Sequence, residues 1–513
     1  MTDNYLSILA ETIRSNWDQP ALTDFYLTED GTAQDTSRGN HYTYGEMYAE
    51  ICRVAELLAS LGLQKGDHIA ICGANSAHWV IAYLAIAKMQ GVSVTVMHTL
   101  MPDEIARLVD FSDAKALFTD EDLWSELKNQ SLPQVENIIS LENFESLASR
   151  TSIIASIVPG ASSETSASGP SIVSFPQSNP DSLAMICFTS GTSGSAKGVM
   201  LTNANVSVNA SNGSKSYPDG LSNNVLLFIP LAHVLCLYGD FLGQLIKGKS
   251  VFMLKEVSIK TIYMGTQLLR PYAMNIIPQV VLGLKKIGDD GLSVLKICQQ
   301  IYIGGAKLED SLYEELRKAN VHNSIGYGLT ETGPISWSIY SEYRQGTCGK
   351  IAAGLNFRIS PAGEILVKGE NVMLGYYKDP EATARKIDAD GWLHTGDKGH
   401  LDEDGYLYVE GRLEQDIIVL PNGENIRPDN IESLINALPE VSESIVLARD
   451  GKLVAIVVKS SIFNLQSSID LRRKILRAVN PSLPLFSQLY DVEISDTPLA
   501  RTEKQTIKRY LYK

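Results

Sequence analysis

The sequence predicts an α/β protein: a large N-terminal domain of helix-covered mixed and parallel sheets, followed by a small α+β C-terminal domain. Three patterns carry that expectation. Apolar runs alternate with helical periods between Thr43 and Phe118, and short apolar–polar alternations between glycines run from Gly363 to Arg412. Beyond Arg412 the segments DIIVL, IESLINAL, ESIVLA, KLVAIVV and LRRKILRAV make a strand–helix pattern of about one hundred residues, enough for a small domain.

Taken in order, Thr43-Tyr44-Gly45-Glu46 is a capping-box pattern, and Ile51, Val54, Leu58 and Leu61 then recur at helical spacing. A helix with one buried face is expected over 44–60. After the turn Gln64-Lys65-Gly66-Asp67 come the run HIAIC, a helix near Ser76 to Gln90, the run VSVTV, a helix from Pro102 and the run ALF. That β-α-β-α-β order calls for a parallel sheet covered by helices. The most apolar stretch, His78 to Met97, is broken by Lys88, Gln90 and Gly91, so it reads as a buried helix and a strand, not a membrane span. Thr151 to Ser182 is rich in Ser and Pro without period and reads as a surface loop, before LAMICFTS resumes as a buried strand.

Composition narrows the function classes. Of 513 residues, 59 are acidic and 44 are Lys or Arg, a formal balance of −15 that argues against nucleic acid or an anionic membrane as main partner. Six widely spaced cysteines form no CxxC, which suggests neither a zinc site nor a disulfide framework and points to a cytoplasmic protein. The amino terminus does not read as a signal peptide. Peripheral membrane contact stays open, as does the choice between monomer and homodimer.

Between the strand Leu183 to Phe188 and the run from Val199 lies Thr189-Ser190-Gly191-Thr192-Ser193-Gly194-Ser195-Ala196-Lys197-Gly198. Glycines let backbone N–H groups turn toward an anion, hydroxyls add donors, and Lys197 supplies the charge a polyphosphate needs. A plain solvated Ser/Gly turn would leave Lys197 unexplained. A Walker A loop requires GxxxxGK followed by Ser or Thr, whereas Lys197 stands between Ala196 and Gly198, so that reading fails.

The loop resembles the Ser/Thr/Gly-rich signature of the adenylate-forming superfamily, which includes acyl-CoA synthetases, amino-acid-activating domains and firefly luciferases; the family usually has Pro where this chain has Ala196. Further segments resemble the family in its order, from about Tyr42 to Arg509. Gly304-Gly305-Ala306 resembles the segment along adenine. Gly326-Tyr327-Gly328-Leu329-Thr330-Glu331-Thr332 resembles the YGxTE signature, which implies Tyr327 on adenine, Thr330 at the α-phosphate and Glu331 on Mg²⁺. An aromatic face suits a purine, and a carboxylate beside phosphates suits a hard cation. Asp397, in Gly391-Trp392-Leu393-His394-Thr395-Gly396-Asp397, would hold the ribose diol, and Arg412 would bridge ribose and phosphate oxygens. Pro230-Leu231-Ala232-His233 resembles the segment at the carboxylate end of the acyl pocket, although a structural role for His233 is nearly as good a reading, and the apolar segment Val225 to Ile246 would line that pocket or be core.

The resemblance also implies a small distorted β-barrel within the large domain and a mobile C-terminal domain. The boundaries it suggests are 1–411, a hinge at 412–416 with Glu414 at its centre, and 417–513. Asn422-Gly423-Glu424-Asn425-Ile426 and Pro428 to Glu432 resemble the loop that presents backbone to pantetheine. The terminal family lysine falls on Thr506; Lys504 and Lys508, two residues either side, share its face on an extended segment, and Lys504 is preferred. The alternative is a solvated basic tail. The implied activity is activation of a carboxylic acid by ATP with Mg²⁺, then transfer to CoA; a medium- or long-chain fatty acid is the expected substrate, with an aryl or other acid left open because motif matching does not identify the residues of the acyl pocket. Competing readings are a catalytically weakened nucleotide-binding homologue, transfer to an acyl carrier protein, and a luciferase-like oxygenase that no residue here asks for.

Overall fold

The computed structural model describes residues 4–512 except 150–172, 190–195, 217–222, 306–307, 309, 339–343, 414–417, 420–424, 427, 450–451, 461–467, 484–486 and 502–506. The chain divides into two compact units, Met1–Thr395 with Gly399–Val409, and Gly396–Lys398 with Glu410–Lys513.

The larger unit holds two mixed sheets. One has nine strands in the order Lys350–Ile351, Gly333–Trp337, Asn323–Leu329, Gln300–Ile303, Ala273–Ile276, Asn224–Leu227, Ser250–Leu254, Pro20–Phe25, His41–Thr43. The other has eight, in the order Gly375–Tyr376, Lys197–Thr202, Leu183–Thr189, Val92–Thr95, His68–Cys72, Ala116–Thr119, Asn137–Ser140, Ser146–Ser149. Both are parallel in the middle and antiparallel at the edges. The barrel-like layer is a four-stranded sheet, Asn356–Ile359, Glu364–Lys368, Leu393–Leu401, Leu407–Arg412.

Local signals explain the elements well. The helix Tyr44–Ser60 begins at Thr43, whose hydroxyl accepts the Glu46 N–H at 3.2 Å while the Glu46 carboxylate accepts the Thr43 N–H at 2.8 Å, a complete capping box. Its face of Met47, Ile51, Val54 and Leu58 is fully buried. The helix Ala77–Lys88 is buried all round, from Ala77 to Ile86, because it lies between layers: Tyr83 meets Met185 of the eight-stranded sheet and the Phe241 ring beneath the nine-stranded one. The expected buried helix and following strand are therefore what the apolar stretch forms. Among the described residues no helix is long and apolar enough to cross a membrane.

In the smaller unit Val441–Arg449 and Lys452–Lys459 pair antiparallel, and Asp491–Ser495 adds in parallel. Ile431 and Ile435 of helix Pro428–Asn436 pack with Leu471 and Ile475 of helix Ser468–Val479 against Val446, Ala455 and Val457. Of the basic tail, residues 502–506 lie outside the described residues, and the two arginines that flank them are paired. Arg509 is 21 % exposed and pairs with Glu432, and Arg501 pairs with Glu443.

Candidate active site

The phosphate-loop expectation falls on a hairpin. Leu183–Thr189 and Lys197–Thr202 run antiparallel, with Thr189 opposite Lys197, Phe188 opposite Gly198 and Cys187 opposite Val199. Thr189 and Lys197 thus flank the mouth from which the loop leaves. Ser190, Gly191, Thr192, Ser193 and Gly194 lie outside the described residues.

On the far edge of Lys197–Thr202 lies a two-residue strand, Gly375–Tyr376, with Tyr376 opposite Val199 and Gly375 opposite Met200. Gly198 allows this approach: a Cβ there would stand 3.0 Å from Ile186 and 3.3 Å from the Tyr377 Cβ. The strand is sewn down by Leu374 N–H to the Met200 carbonyl at 2.9 Å and Tyr377 N–H to the Gly198 carbonyl at 2.7 Å. Tyr376 then joins two expected site residues. Its hydroxyl donates to Glu331 Oε1 at 2.8 Å, and the Lys197 ammonium sits 4.9 Å from its ring centroid. A third link is Met373 N–H to the Glu331 carbonyl at 2.8 Å.

Glu331 belongs to the turn between Asn323–Leu329 and Gly333–Trp337. The turn is tight for identifiable reasons. A Cβ on Gly328 would come within 2.3 Å of the Gly333 oxygen, and Gly333 has φ +62° with its α-carbon against Asn209. The Thr332 hydroxyl accepts from Leu329 N–H at 3.3 Å and donates to the Gly333 carbonyl at 3.0 Å, while Asn371 donates to the Thr332 carbonyl at 2.9 Å. Thr330 is buried, and the Tyr327 ring packs at the edge of the cluster of Ile335, Ile365, Val367 and Leu407.

Gly304 and Gly305 follow the strand Gln300–Ile303, with Gly304 N–H bonded to the Ile276 carbonyl at 3.2 Å. A Cβ on Gly304 would lie 3.4 Å from the Leu235 side chain and 3.9 Å from the Gly326 oxygen, so this glycine brings the Tyr327 strand and the segment after His233 together. Ala306 lies outside the described residues. These groups, with His233 beyond Asn224–Leu227, stand at the carboxyl ends of neighbouring parallel strands, where open α/β sheets bind ligands.

His233 caps the helix that follows. Its Nδ1 accepts the Leu235 N–H at 3.1 Å, so the neutral ring carries its proton on Nε2. Asn75 pins the same loop from both ends of its amide: Nδ2 donates to the Ile229 carbonyl at 2.8 Å and Oδ1 accepts from Leu231 N–H at 2.8 Å. Lys255 in turn donates to the Asn75 carbonyl at 2.5 Å. Next to Asn75, Asp120 accepts the Ala74 N–H at 2.6 Å; burial pushes its carboxyl up to about 6, against the lowering by that hydrogen bond, with Glu142 raising it further. Burial and the Lys255 charge lower His98. Beyond His233 the backbone widens into a π-helical turn, Leu237–Leu242, where Gln244 Nε2 holds the Gly239 carbonyl at 2.8 Å and Asn275 holds the buried Asp240 at 2.9 Å. Irregular turns of this kind recur at functional sites.

The remaining expected residues belong to the smaller unit. Asp397 is buried on the strand Leu393–Leu401, just after Gly396, whose φ of +74° favours glycine. Arg412 ends the strand Leu407–Arg412, and its side chain lies outside the described residues, as do Glu414, Gly423, Lys504 and Thr506. Lys508 is described; its N–H bonds to the Ala500 carbonyl at 2.7 Å.

Among the described residues no group of three or more His, Cys, Asp or Glu could hold a metal. A lone carboxylate, Glu331, beside a phosphate-loop lysine still fits Mg²⁺, which commonly takes one carboxylate, waters and the substrate's own phosphates. Sequence reasoning missed Tyr376 and Asn75. The first follows Gly375 in a stretch too short to show a period; the second precedes the helix cap Ser76 and looks like a turn residue.

Comparison with known proteins identifies the family. The family model described as AMP-binding enzyme matches residues 9–377, and that of the AMP-binding enzyme C-terminal domain matches 415–512. A protein described as 4-coumarate–CoA ligase 3 of Arabidopsis thaliana is 28 % identical over 453 residues, covering 83 % of this chain and 79 % of its own. A probable CoA ligase of Humulus lupulus is 27 % identical over 458 residues, covering 85 % and 82 %. Among solved structures, ATP-bound MatB from Rhodopseudomonas palustris superposes with a TM-score of 0.79 at 22 % identity over 99 % of this chain and 98 % of its own, which shows the shared fold. With the first model covering more than half of its length, the chain belongs to the AMP-binding enzyme family.

Proposed function

We propose that the protein is an AMP-forming acid–CoA ligase. The observation that carries the reading is the junction of Lys197, Tyr376 and Glu331, which places a phosphate-loop cation and a carboxylate on one tyrosine. In the first half-reaction the substrate carboxylate attacks the α-phosphorus of ATP in line, pyrophosphate leaves, and an acyl-adenylate forms. Lys197 and the loop amides stabilise charge building on phosphate oxygens. Thr330 contacts the α-phosphate, Tyr327 stacks on adenine, and Asp397 holds the ribose diol. Mg²⁺, when bound by Glu331, supplies further charge neutralisation. The terminal lysine of the family signature is assigned to Lys504. In the second half-reaction the CoA thiolate attacks the acyl carbonyl and AMP leaves.

For the acid, we infer a compact aryl acid in place of the fatty acid that the motifs suggested. Relatives described as 4-coumarate–CoA ligases support this. So does packing: after Leu235 the residues Leu237, Tyr238, Phe241 and Leu242 are fully buried, and the buried Asp240 is held by Asn275, so this segment is closely packed and partly polar. The test is a panel of aryl and straight-chain acids assayed for AMP release with and without CoA, beside acid-dependent exchange of pyrophosphate into ATP. Aryl acids are expected to lead, with release accelerated by CoA. Undetectable exchange with every acid of the panel, Mg²⁺ being present, overturns the ligase reading in favour of a weakened nucleotide-binding member; preference for long straight chains overturns the aryl assignment.

A further inference from the structure

We propose that Tyr376 is a positioning residue that fixes the spacing between the phosphate-loop lysine and the metal-binding carboxylate. The inference rests on the ligase reading for what Lys197 and Glu331 do, and on geometry for what Tyr376 does to them. Its hydroxyl occupies Glu331 Oε1 at 2.8 Å, which sets the plane of that carboxylate. Its ring faces the Lys197 ammonium at 4.9 Å, a cation–π distance. One side chain therefore touches both charged groups.

The backbone makes the tyrosine a rigid spacer. Tyr376 N–H donates to the Thr383 hydroxyl at 2.8 Å, and a Cβ on Gly375 would meet Thr383 at 2.7 Å, so the residue before it must be glycine. On the other side the strand is held to Gly198, Met200 and the Glu331 carbonyl. The residue is 6 % exposed. The phenol links ammonium and carboxylate, the ring meeting one and the hydroxyl the other, so the spacing of the two charges follows the place of the tyrosine. Phenylalanine would keep the ring under Lys197 and release Glu331. Leucine would release both.

The experiment compares Tyr376→Phe and Tyr376→Leu with the full-length protein. Mn²⁺ binding in the presence of α,β-methylene-ATP is followed by electron paramagnetic resonance, thermal melting is recorded, and the Mg²⁺ dependence of pyrophosphate exchange is measured. Losing a hydrogen bond to a charged group predicts that Tyr376→Phe weakens Mn²⁺ binding and raises half-saturating Mg²⁺ about tenfold or more, with maximal exchange largely restored at high Mg²⁺. Tyr376→Leu should in addition raise the KM for ATP, because Lys197 loses its seat. Unchanged Mn²⁺ binding in Tyr376→Phe overturns the proposal, and so does a loss of exchange that metal does not restore and that tracks a drop in melting temperature. If the wild type shows no acid-dependent exchange, the ligase reading fails, while the Mn²⁺ arm still decides the role of Tyr376.

Discussion

Replacing Arg509 with Met should unfold the smaller unit well before the larger one. Arg509 Nη1 meets Glu432 Oε1 at 2.6 Å, Nη2 meets Oε2, and the Val446 N–H donates to the same Oε1 at 2.6 Å. The two side chains are 21 % and 10 % exposed. Arg509→Met keeps the side-chain stem but leaves a mostly buried carboxylate without its cation, which costs about 3–5 kcal/mol. Gly396–Lys398 with Glu410–Lys513 makes a unit of just over 100 residues. At about 2.1 cal/mol/K per residue its unfolding entropy is near 0.2 kcal/mol/K, so its own transition should fall by roughly 15–20 °C. Hydrogen exchange of peptides from Val441–Lys459 during a temperature ramp reads that transition separately. In a second arm Glu432→Gln is added; the amide oxygen still accepts from Val446, the stranded charge is gone, and at least half of the loss should return. A single variant melting within about 3 °C of wild type, or a double variant as unstable as the single, would falsify the account of a buried, mutually dependent pair.

Four further outcomes are expected. Asn75→Leu strands the Ile229 carbonyl and the Leu231 N–H, a cost of about 2–5 kcal/mol, and should raise the KM for acid more than that for ATP because the loop carrying His233 loosens; equal effects would refute it. Asp120 is raised to about 6 by burial, so the folded state holds its proton more tightly than the unfolded chain. The stability this lends is full only below the ordinary carboxyl value of 3.8 and is lost as pH rises through 6, so Asp120→Asn should gain on wild type over that interval, by up to about 3 kcal/mol above pH 7; a melting-temperature gap independent of pH counts against it. Gly213→Ala would put a Cβ 2.1 Å from the Tyr238 carbonyl oxygen, a backbone atom that cannot swing away, and should cost about 1–3 kcal/mol of stability in a thermal melt, whereas no loss would mean the two segments separate freely. Lys504→Ala should depress acyl-adenylate formation far more than thioester formation from preformed adenylate, while Lys508→Ala does not; equal losses in both half-reactions would exclude Lys504.

Much of the frame was legible because its signals are local. The helix Tyr44–Ser60 and the strands His68–Cys72, Val92–Thr95 and Ala116–Thr119 follow from a cap, a period and apolar runs that lie within a few residues of one another. Gly328 and Glu331 were findable as part of one contiguous signature. What stayed hidden depends on partners far along the chain. Tyr376 acquires its place from Glu331, 45 residues away, and from Val199 across a strand edge. Asn75 acts on a loop 154 residues away, and Arg509 on a helix 77 residues away. The π-helical turn has no period of its own; Gly213 and Gly243 both face the Tyr238 carbonyl there, a packing reason that single-sequence patterns do not carry.

The placement of the phosphate loop explains why side chains carry so much of this site. In a P-loop the glycine-rich turn opens a helix, whose N-terminal amides and dipole meet the anion. Here the chain leaves a strand at Thr189 and returns into an antiparallel strand at Lys197, and the next helix starts only at Asn203. Among the described residues no helix terminus adjoins the loop, so on the proposed reading the positive charge falls to Lys197 and to a cation on Glu331. Neither group is fixed by its own backbone element alone: one lies at the mouth of a hairpin, the other in a turn. Both gain definition from the short strand that pairs with the hairpin and bonds to the turn.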